Sequence, residues 1–251
     1  MGKGFFDRVR SIIDKSDIVL EVLDSRFPTS SRNPQLEQQV VDKGKILILV
    51  LNKCDLISKR KAEKIKAELG KEFPLVFVSA MQKRGTSFLR EEIGKVSKGK
   101  ECTVSVVGFP NTGKSSVINM LSGKHAALTS AKAGFTRGEQ LFAISDKLKV
   151  FDTPGVIPYD ERDTFKLALI GSKNIEKISD PEHMGLQFMQ FLKNESPETL
   201  KKLDLNPELD NEQLLEDYAR KKNRLLKGGI PDTVLAGKLL IQAWQKGKIK
   251  F

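Results

Sequence analysis

The sequence predicts an α/β protein: a mostly parallel sheet with helices on both faces, followed by an all-helical segment. Two observations predict this. Apolar strand-like runs alternate with helix-period stretches through the first 155 residues, the pattern of parallel crossover units. After Gly155 only helical periodicity remains.

The elements follow in order. Phe5, Phe6, Val9, Ile12 and Ile13 recur at helical spacing. Asp17 to Asp24 (DIVLEVLD) reads as a strand, Ser25 to Pro34 as a loop, and Gln35 to Lys43 as a helix. Lys45 to Leu51 (KILILVL) is a buried strand, and Ser58 opens a polar helix to Gly70. Pro74 to Val78 is a short strand, Phe88 to Val96 a helix, Thr103 to Val107 a strand and Gly113 to Leu121 a helix. Gln140 to Ser145 and Leu148 to Phe151 complete the strands. Thr164 to Ile170, Pro181 to Lys193, Pro197 to Leu203, Glu212 to Leu226 and Pro231 to Lys246 read as helices, with Pro181 and Pro231 in first-turn positions and Gly228-Gly229 as a stop. A boundary near residue 172 separates a domain over 1–172 from a helical, basic domain over 173–251.

Composition limits the classes. The 251 residues are 39% hydrophobic and 30% charged, ordinary for a folded protein. The longest aliphatic stretch, Ile46 to Leu51, is too short to span a bilayer, and no secretory leader is read. Two cysteines, Cys54 and Cys102, are too few for a zinc site, so a reducing, cytoplasmic setting is expected. The net charge of +11 favours polyanionic partners.

Gly108-Phe-Pro-Asn-Thr-Gly113-Lys114-Ser115 fits the phosphate-loop pattern and lies between a strand and a helix, the context that pattern requires. Backbone N–H groups of Gly108, Asn111, Thr112, Gly113, Lys114, Ser115 and Ser116 would wrap phosphates, aided by the helix N-terminus. Lys114 would meet the β- and γ-phosphates and Ser115 would ligate Mg²⁺. Asp152-Thr-Pro-Gly155 ends another strand; Asp152 can hold the metal, and the Gly155 N–H can sense a γ-phosphate.

Asn52-Lys53-Cys54-Asp55 leaves the KILILVL strand. A carboxylate at Asp55 can accept from guanine N1–H and the exocyclic amino group, donors that adenine lacks. An unpaired buried carboxylate is costly, so the site should reject adenine about a thousandfold or more. Lys53 would lie along base and ribose, and the Ala80 N–H of Ser79-Ala80 could reach guanine O6. Asp24, Asn52, Ser79, Gly108 and Asp152 all fall at the carboxyl ends of predicted strands, where open α/β sheets bind ligands.

Together these residues resemble the guanine-nucleotide motifs of the P-loop GTPases, but the base-reading pair at 52–55 and 79–80 precedes the phosphate motifs at 108–115 and 152–155. That order resembles the circularly permuted GTPases, and within them the YlqF-type (RbgA-like) ribosome-biogenesis GTPases. Asp24-Ser-Arg26-Phe-Pro28 with Ser31-Arg-Asn-Pro34, and Leu226-Lys-Gly-Gly229 near the C-terminus, are similar to that family's early and late signatures. The resemblance implies a GTP/GDP-binding, GTP-hydrolysing switch that docks on a ribosomal precursor, that of the large subunit rather than the small one, and is monomeric away from it. The small-subunit permuted GTPases carry an OB-fold ahead and a zinc motif behind, for which this chain has neither the leading length nor the cysteines. A nucleotide-stabilised RNA-binding scaffold is the alternative.

Catalysis departs from the Ras-like pattern. The position of the water-orienting Gln is Val156, followed by Ile157, which implies slow unaided turnover. Asn111 matches the phosphate-loop Asn of potassium-activated GTPases, implying K⁺ near the phosphates; a simple turn-former after Pro110 is the competing reading. Bacterial relatives open with Trp-Phe-Pro-Gly-His-Met, whereas this chain opens Met-Gly-Lys-Gly-Phe-Phe and has no His before His125. In Gly134-Phe-Thr136-Arg137, Thr136 is the candidate second Mg²⁺ hydroxyl and γ-phosphate contact. Asp24 and Arg26 read equally as a local ion pair or as nucleotide contacts. From Asn211 to Phe251 nine Lys/Arg face four acids. Arg220, Lys221, Lys222, Arg224 and Lys227 are the candidate rRNA contacts, while Trp244 reads as core.

Overall fold

Strands buried on both faces need apolar side chains on both, and three such runs form the centre of a six-stranded sheet. The computed structural model of the protein describes residues 10–123, 140–152, 163–171 and 173–251. Its strands are β1 (Ile18–Asp24), β2 (Ile46–Asn52), β3 (Leu75–Phe77), β4 (Cys102–Val107), β5 (Gln140–Ser145) and β6 (Leu148–Asp152), in the order β3-β2-β1-β4-β6-β5. All neighbours are parallel except β5 and β6. The order reverses between β1 and β4, which opens a crevice at their carboxyl ends.

The helices of this region are α1 (Pro28–Ser31), α2 (Pro34–Asp42), α3 (Lys59–Leu69), α4 (Thr86–Val96) and α5 (Lys114–Ser122). On one face Ile18, Leu20 and Val22 of β1 pack with Leu89 and Ile93 of α4 and Val117 and Leu121 of α5. On the other, Val19 and Leu23 pack with Leu36 and Val40 of α2 and Ile65 and Leu69 of α3. The expected loop over 25–34 contains α1, which starts with Pro at its first turn. Ser58 caps α3 by accepting from the Lys61 N–H, as its side chain and position predict.

The chain divides into two compact units, residues 1–161 and 162–251. The second contains α6 (Thr164–Leu169), α7 (Pro181–Glu195), α8 (Pro197–Lys202), α9 (Asn211–Lys221) and α10 (Thr233–Gln245). The sequence reading placed α6 before its boundary near 172, in the first domain. The structure places it in the second unit, because the Trp244 Nε1–H donates to the Leu169 carbonyl at 2.9 Å and the Gln245 amide to Ala168 at 2.7 Å. Trp244 is fully buried against Phe188 and Phe251, so it is core. Gly185 and Gly237 allow α7 and α10 to touch: a Cβ on Gly237 would sit 2.1 Å from the Pro181 carbonyl oxygen.

Two helical expectations are corrected. The helix read over 212–226 stops at Lys221, and Asn223 turns the chain out with φ 50°. Pro231 is not in the first turn of α10; it pairs with Leu225 across a tight return through Gly228-Gly229, and Asp232 caps the helix. No helix among the described residues is long and apolar enough to cross a membrane.

Candidate nucleotide-binding site

The register of the parallel strands brings the motif ends to one edge. Asp24 lies beside Asn52, Glu21 beside Val107, and Val106 beside Asp152. Chain segments far apart in sequence therefore open onto the same crevice.

The phosphate loop is shaped by close backbone packing. Gly108 has φ +135° and a Cβ there would meet the Val22 carbonyl at 2.5 Å; Gly113 has φ +100° and a Cβ would meet Asn52 Nδ2 at 2.2 Å. Asn111 between them adopts φ 62°, a left-handed conformation that asparagine tolerates better than most residues. Thr112 is fully buried, and its hydroxyl donates to the Phe109 carbonyl at 2.9 Å, so its side chain shapes the loop. Lys114 starts α5, is 7% exposed, and donates from Nζ to the same carbonyl at 2.8 Å. Ser115 and Ser116 are exposed in the first turn of α5, where helical N–H groups have no intrahelical acceptor.

Asn52 joins this loop to the base-reading loops. Its Nδ2 donates to the Thr112 carbonyl at 2.9 Å, and its Oδ1 accepts from the Ala80 N–H at 3.0 Å. The Ala80 N–H, assigned from sequence to guanine O6, is thus engaged by Asn52 here, and an O6 acceptor would have to share it. Ser79 Oγ donates to Asp55 Oδ1 at 2.6 Å, which fixes the carboxylate while leaving it half-buried. Lys53, with φ 61°, sends Nζ to Asp24 Oδ2 at 2.8 Å. The geometry joins a phosphate cradle and a fixed carboxylate through a single asparagine, an arrangement able to span a nucleotide from base to phosphates.

Comparison with known proteins agrees. The family model for RsgA GTPase matches residues 9–161, and that for 50S ribosome-binding GTPase matches residues 103–222. The chain is 40% identical over 247 residues to an uncharacterized GTP-binding protein of Methanocaldococcus jannaschii, covering 97% of this chain and 65% of that protein. It is 34% identical to the nuclear GTP-binding protein NUG1 of Saccharomyces cerevisiae, covering 97% of this chain and 55% of that one. The chain thus spans between about half and two thirds of these curated relatives. The GDP-bound structure of YlqF from Thermotoga maritima covers 97% of this chain and 96% of its own, with 25% identity and a TM-score of 0.67. The GNP-bound YlqF structure has the same fold, with a TM-score of 0.66 at 24% identity.

The chain belongs to the YlqF-type circularly permuted GTPases.

The other motifs of this GTPase stand as follows. Asp152 ends β6 beside the phosphate-loop strand, as read from sequence. Thr136, Gly155, Val156 and His125 lie outside the described residues. Asp24 and Arg26 do form the ion pair that the sequence left open. The Arg26 Nη2 meets Asp24 Oδ2 at 2.8 Å, and both side chains are essentially buried. Burial alone would raise the Asp24 carboxyl, but the bonds from Arg26 and the charges of Arg26 and Lys53 outweigh it and hold the pKa below the usual carboxylate value.

Sequence reading missed Glu21. It is fully buried in the middle of β1, accepts from the Asn33 N–H at 2.8 Å, and so ties down the 25–34 loop. Burial, then the neighbouring Glu37, pushes its carboxyl well above the ordinary range. Arg32 forks onto Glu37 at 2.8 and 2.6 Å and reaches Glu72 at 2.7 Å. The signal available in sequence was an acid in a strand otherwise apolar on both faces.

The five basic residues of the second unit divide. Arg220 pairs with Glu216 at 3.0 Å and Asp217 at 3.2 Å, and Lys221 pairs with Asp204. Lys222 lies 5.4 Å from the Tyr218 ring centroid. Arg224 and Lys227 project from a turn in which every residue from 221 to 230 is exposed. That turn is ordered by the Leu226 N–H to Ile230 carbonyl bond of 2.7 Å and the Asp232 N–H to Arg224 carbonyl bond of 2.9 Å.

Proposed function

We propose that the protein is a GTP-binding and GTP-hydrolysing switch that docks on a precursor of the large ribosomal subunit. The observation that carries the nucleotide reading is the Asn52 bridge, which ties the phosphate loop at Thr112 to the base-reading loop at Ala80. Guanine is read by Asp55, held by Ser79 and flanked by Lys53 and Ala80. The phosphates lie over the backbone from Gly108 to Ser116, with Lys114 on the β- and γ-phosphates and Gly155 sensing the latter. The glycine cradle and the exposed Ser115 hydroxyl fit a Mg²⁺–phosphate group, which Ser115, Asp152 and Thr136 would hold. When bound, the ion neutralises charge developing on the phosphates.

With Val156 in place of a water-orienting Gln, unaided turnover is slow, and K⁺ held near Asn111 together with the docked particle supplies the acceleration. The printed description of the family matched over 103–222, 50S ribosome-binding GTPase, supports the large subunit. On the second unit the rRNA contacts are chiefly Arg224, Lys227 and Lys222; Arg220 and Lys221 must first leave their acids. The compartment follows the particle. Relatives named nuclear or nucleolar widen the expectation of a cytoplasmic protein to wherever large subunits are assembled. Permutation places the Asp152–Gly155 segment immediately ahead of the second unit, so a γ-phosphate contact can bias that unit through one short connection.

The test is phosphate release from GTP in KCl and in NaCl, with and without purified ribosomal subunits of each size. We expect a low basal rate, raised by K⁺ and by large subunits or their precursors. Stimulation by small subunits alone would overturn the docking assignment. Tight GTP binding with no release under any condition would favour the RNA-binding scaffold.

A further inference from the structure

Where β1 ends, the chain turns through Asp24-Ser25-Arg26 and builds a polar cluster in the interior. Asp24 is 0% and Arg26 1% exposed, so the guanidinium has no access to a ligand. Three donors of Arg26 converge on the carboxylate: its backbone N–H at 3.1 Å and Nε at 3.0 Å on Oδ1, and Nη2 at 2.8 Å on Oδ2. The Asp24 N–H donates to Ser31 Oγ at 3.1 Å, which fixes the aspartate backbone. The neighbouring Ser25 donates to the Asn52 carbonyl from both its N–H, at 2.9 Å, and its hydroxyl, at 2.6 Å. The turn after β1 is therefore fastened to the residue that precedes Lys53.

A buried ion pair is a poor source of stability, because desolvation cancels most of the attraction. This one has a second output. Oδ2 of the braced carboxylate also receives Lys53 Nζ at 2.8 Å, and the Lys53 side chain is 24% exposed, which leaves part of it open to the crevice. A lysine held at its backbone alone would sample many rotamers. Fastened at its tip, its stem has one path.

We propose that Asp24, braced by Arg26, is a positioning residue for nucleotide binding: it anchors the Lys53 ammonium so that the aliphatic stem is set in place before the base arrives. The pair sets affinity and does not read the base, which is left to Asp55. This rests on the reading of Asn52–Asp55 as the guanine site. Ordering a free lysine side chain on binding costs enough rotamer entropy to weaken affinity about 10- to 30-fold.

The experiment measures the Kd of a fluorescent GDP analogue for the full chain, its competition by GDP and ADP, and thermal melting. The variants are D24N, K53M and D24N/K53M. Because D24N strands a buried guanidinium, D24N/R26M, which removes both charges, replaces it in the cycle if D24N does not fold. We expect the Asp24 variant to bind about 10- to 30-fold more weakly with its GDP-over-ADP preference intact, and to add no further loss in the K53M background. A Kd within about twofold of wild type overturns the proposal, as do losses that multiply in the combined variant, since a merely structural role would act whether or not Lys53 is present. D55N separates the underlying reading. It should exchange GDP for XDP preference, and failure there removes the guanine site itself, whatever the Asp24 cycle shows.

Discussion

Asn52→Ala tests the arrangement at its narrowest point. Asn52 is 3% exposed and is the acceptor for the Ala80 N–H at 3.0 Å and the donor to the Thr112 carbonyl at 2.9 Å. Truncation leaves both backbone groups without that partner, and each is buried or nearly so. An orphaned buried polar group costs about 1–3 kcal/mol, so the pair predicts a loss of about 2–6 kcal/mol. For a chain of this size that corresponds to a fall in Tm of very roughly 4–24 °C, with the lower half favoured because water can enter the space left by the amide. Urea denaturation followed by circular dichroism gives the loss, and titration with a fluorescent GDP analogue gives the consequence for binding. The Asn52→Asp variant is the control. It retains an acceptor for Ala80 but has no donor for Thr112, so it should still lose the bond to the phosphate loop. A loss below about 1 kcal/mol together with unchanged GDP affinity would refute the reasoning, because the bridge would then join nothing that matters.

Other predictions follow from single features. Glu21 holds its proton more firmly when folded, so above the ordinary carboxyl pKa of about 4.3 unfolding releases a proton and stability falls as pH rises toward the raised value. Glu21→Gln, which keeps the acceptor for Asn33, should flatten that slope in urea midpoints taken between about pH 5 and 8, and an unchanged slope would place the titration elsewhere. Trp244→Phe leaves the buried Leu169 carbonyl without its indole donor, and a loss of about 1–3 kcal/mol by urea denaturation is expected; no loss would mean that the bond is not what attaches α6. Arg224→Ala with Lys227→Ala should weaken binding to large-subunit rRNA and lower its salt dependence by about two counterions, whereas Arg220→Ala should change the slope little. Equal slopes for both would move the contact away from the turn at 224–230.

The parts of this fold that could be read in the sequence are those where one physical constraint dominates. KILILVL is apolar on both faces because β2 is covered on both, and its end at Asn52 follows from the first residue that must face the crevice. The strand-end positions of Asp24, Asn52, Ser79, Gly108 and Asp152 were legible for the same reason, since each lies at or just past the carboxyl end of a strand. Where tertiary contacts decide, sequence reading fell short. The helix over 212–226 was drawn five residues too long because helical spacing continues past Lys221, while the chain instead pairs Leu225 with Pro231. The boundary near 172 missed α6 because its attachment is made by Trp244, some seventy-five positions later. Arg220 was read as an rRNA contact although Glu216 lies four residues before it, a spacing that predicts the ion pair. Lys221 pairs with Asp204, which no local pattern announces.

The two halves of the first unit are joined unevenly. The first unit is built from an early half carrying β1 to β3 and a later half carrying β4 to β6. Within the early half β1 and β2 are in register from Ile18 to Asp24, whereas β1 and β4 meet only from Ile18 to Glu21. At the carboxyl edge the Asn52–Thr112 bond then carries the connection. On the proposed reading, a nucleotide held by Asp55 of the early half and Lys114 of the later one would act as a crosslink across this junction. Ligand at a hundredfold over its Kd adds about 2.7 kcal/mol, which for a chain of this size is a rise in Tm of about 5–11 °C. The rise should appear with GDP and not with ADP at equal concentration, and D55N should lose it while retaining its own unliganded Tm. A GDP-induced rise matched by ADP would mean that the phosphates alone provide the stabilisation, and the two halves would then need no base to hold them together.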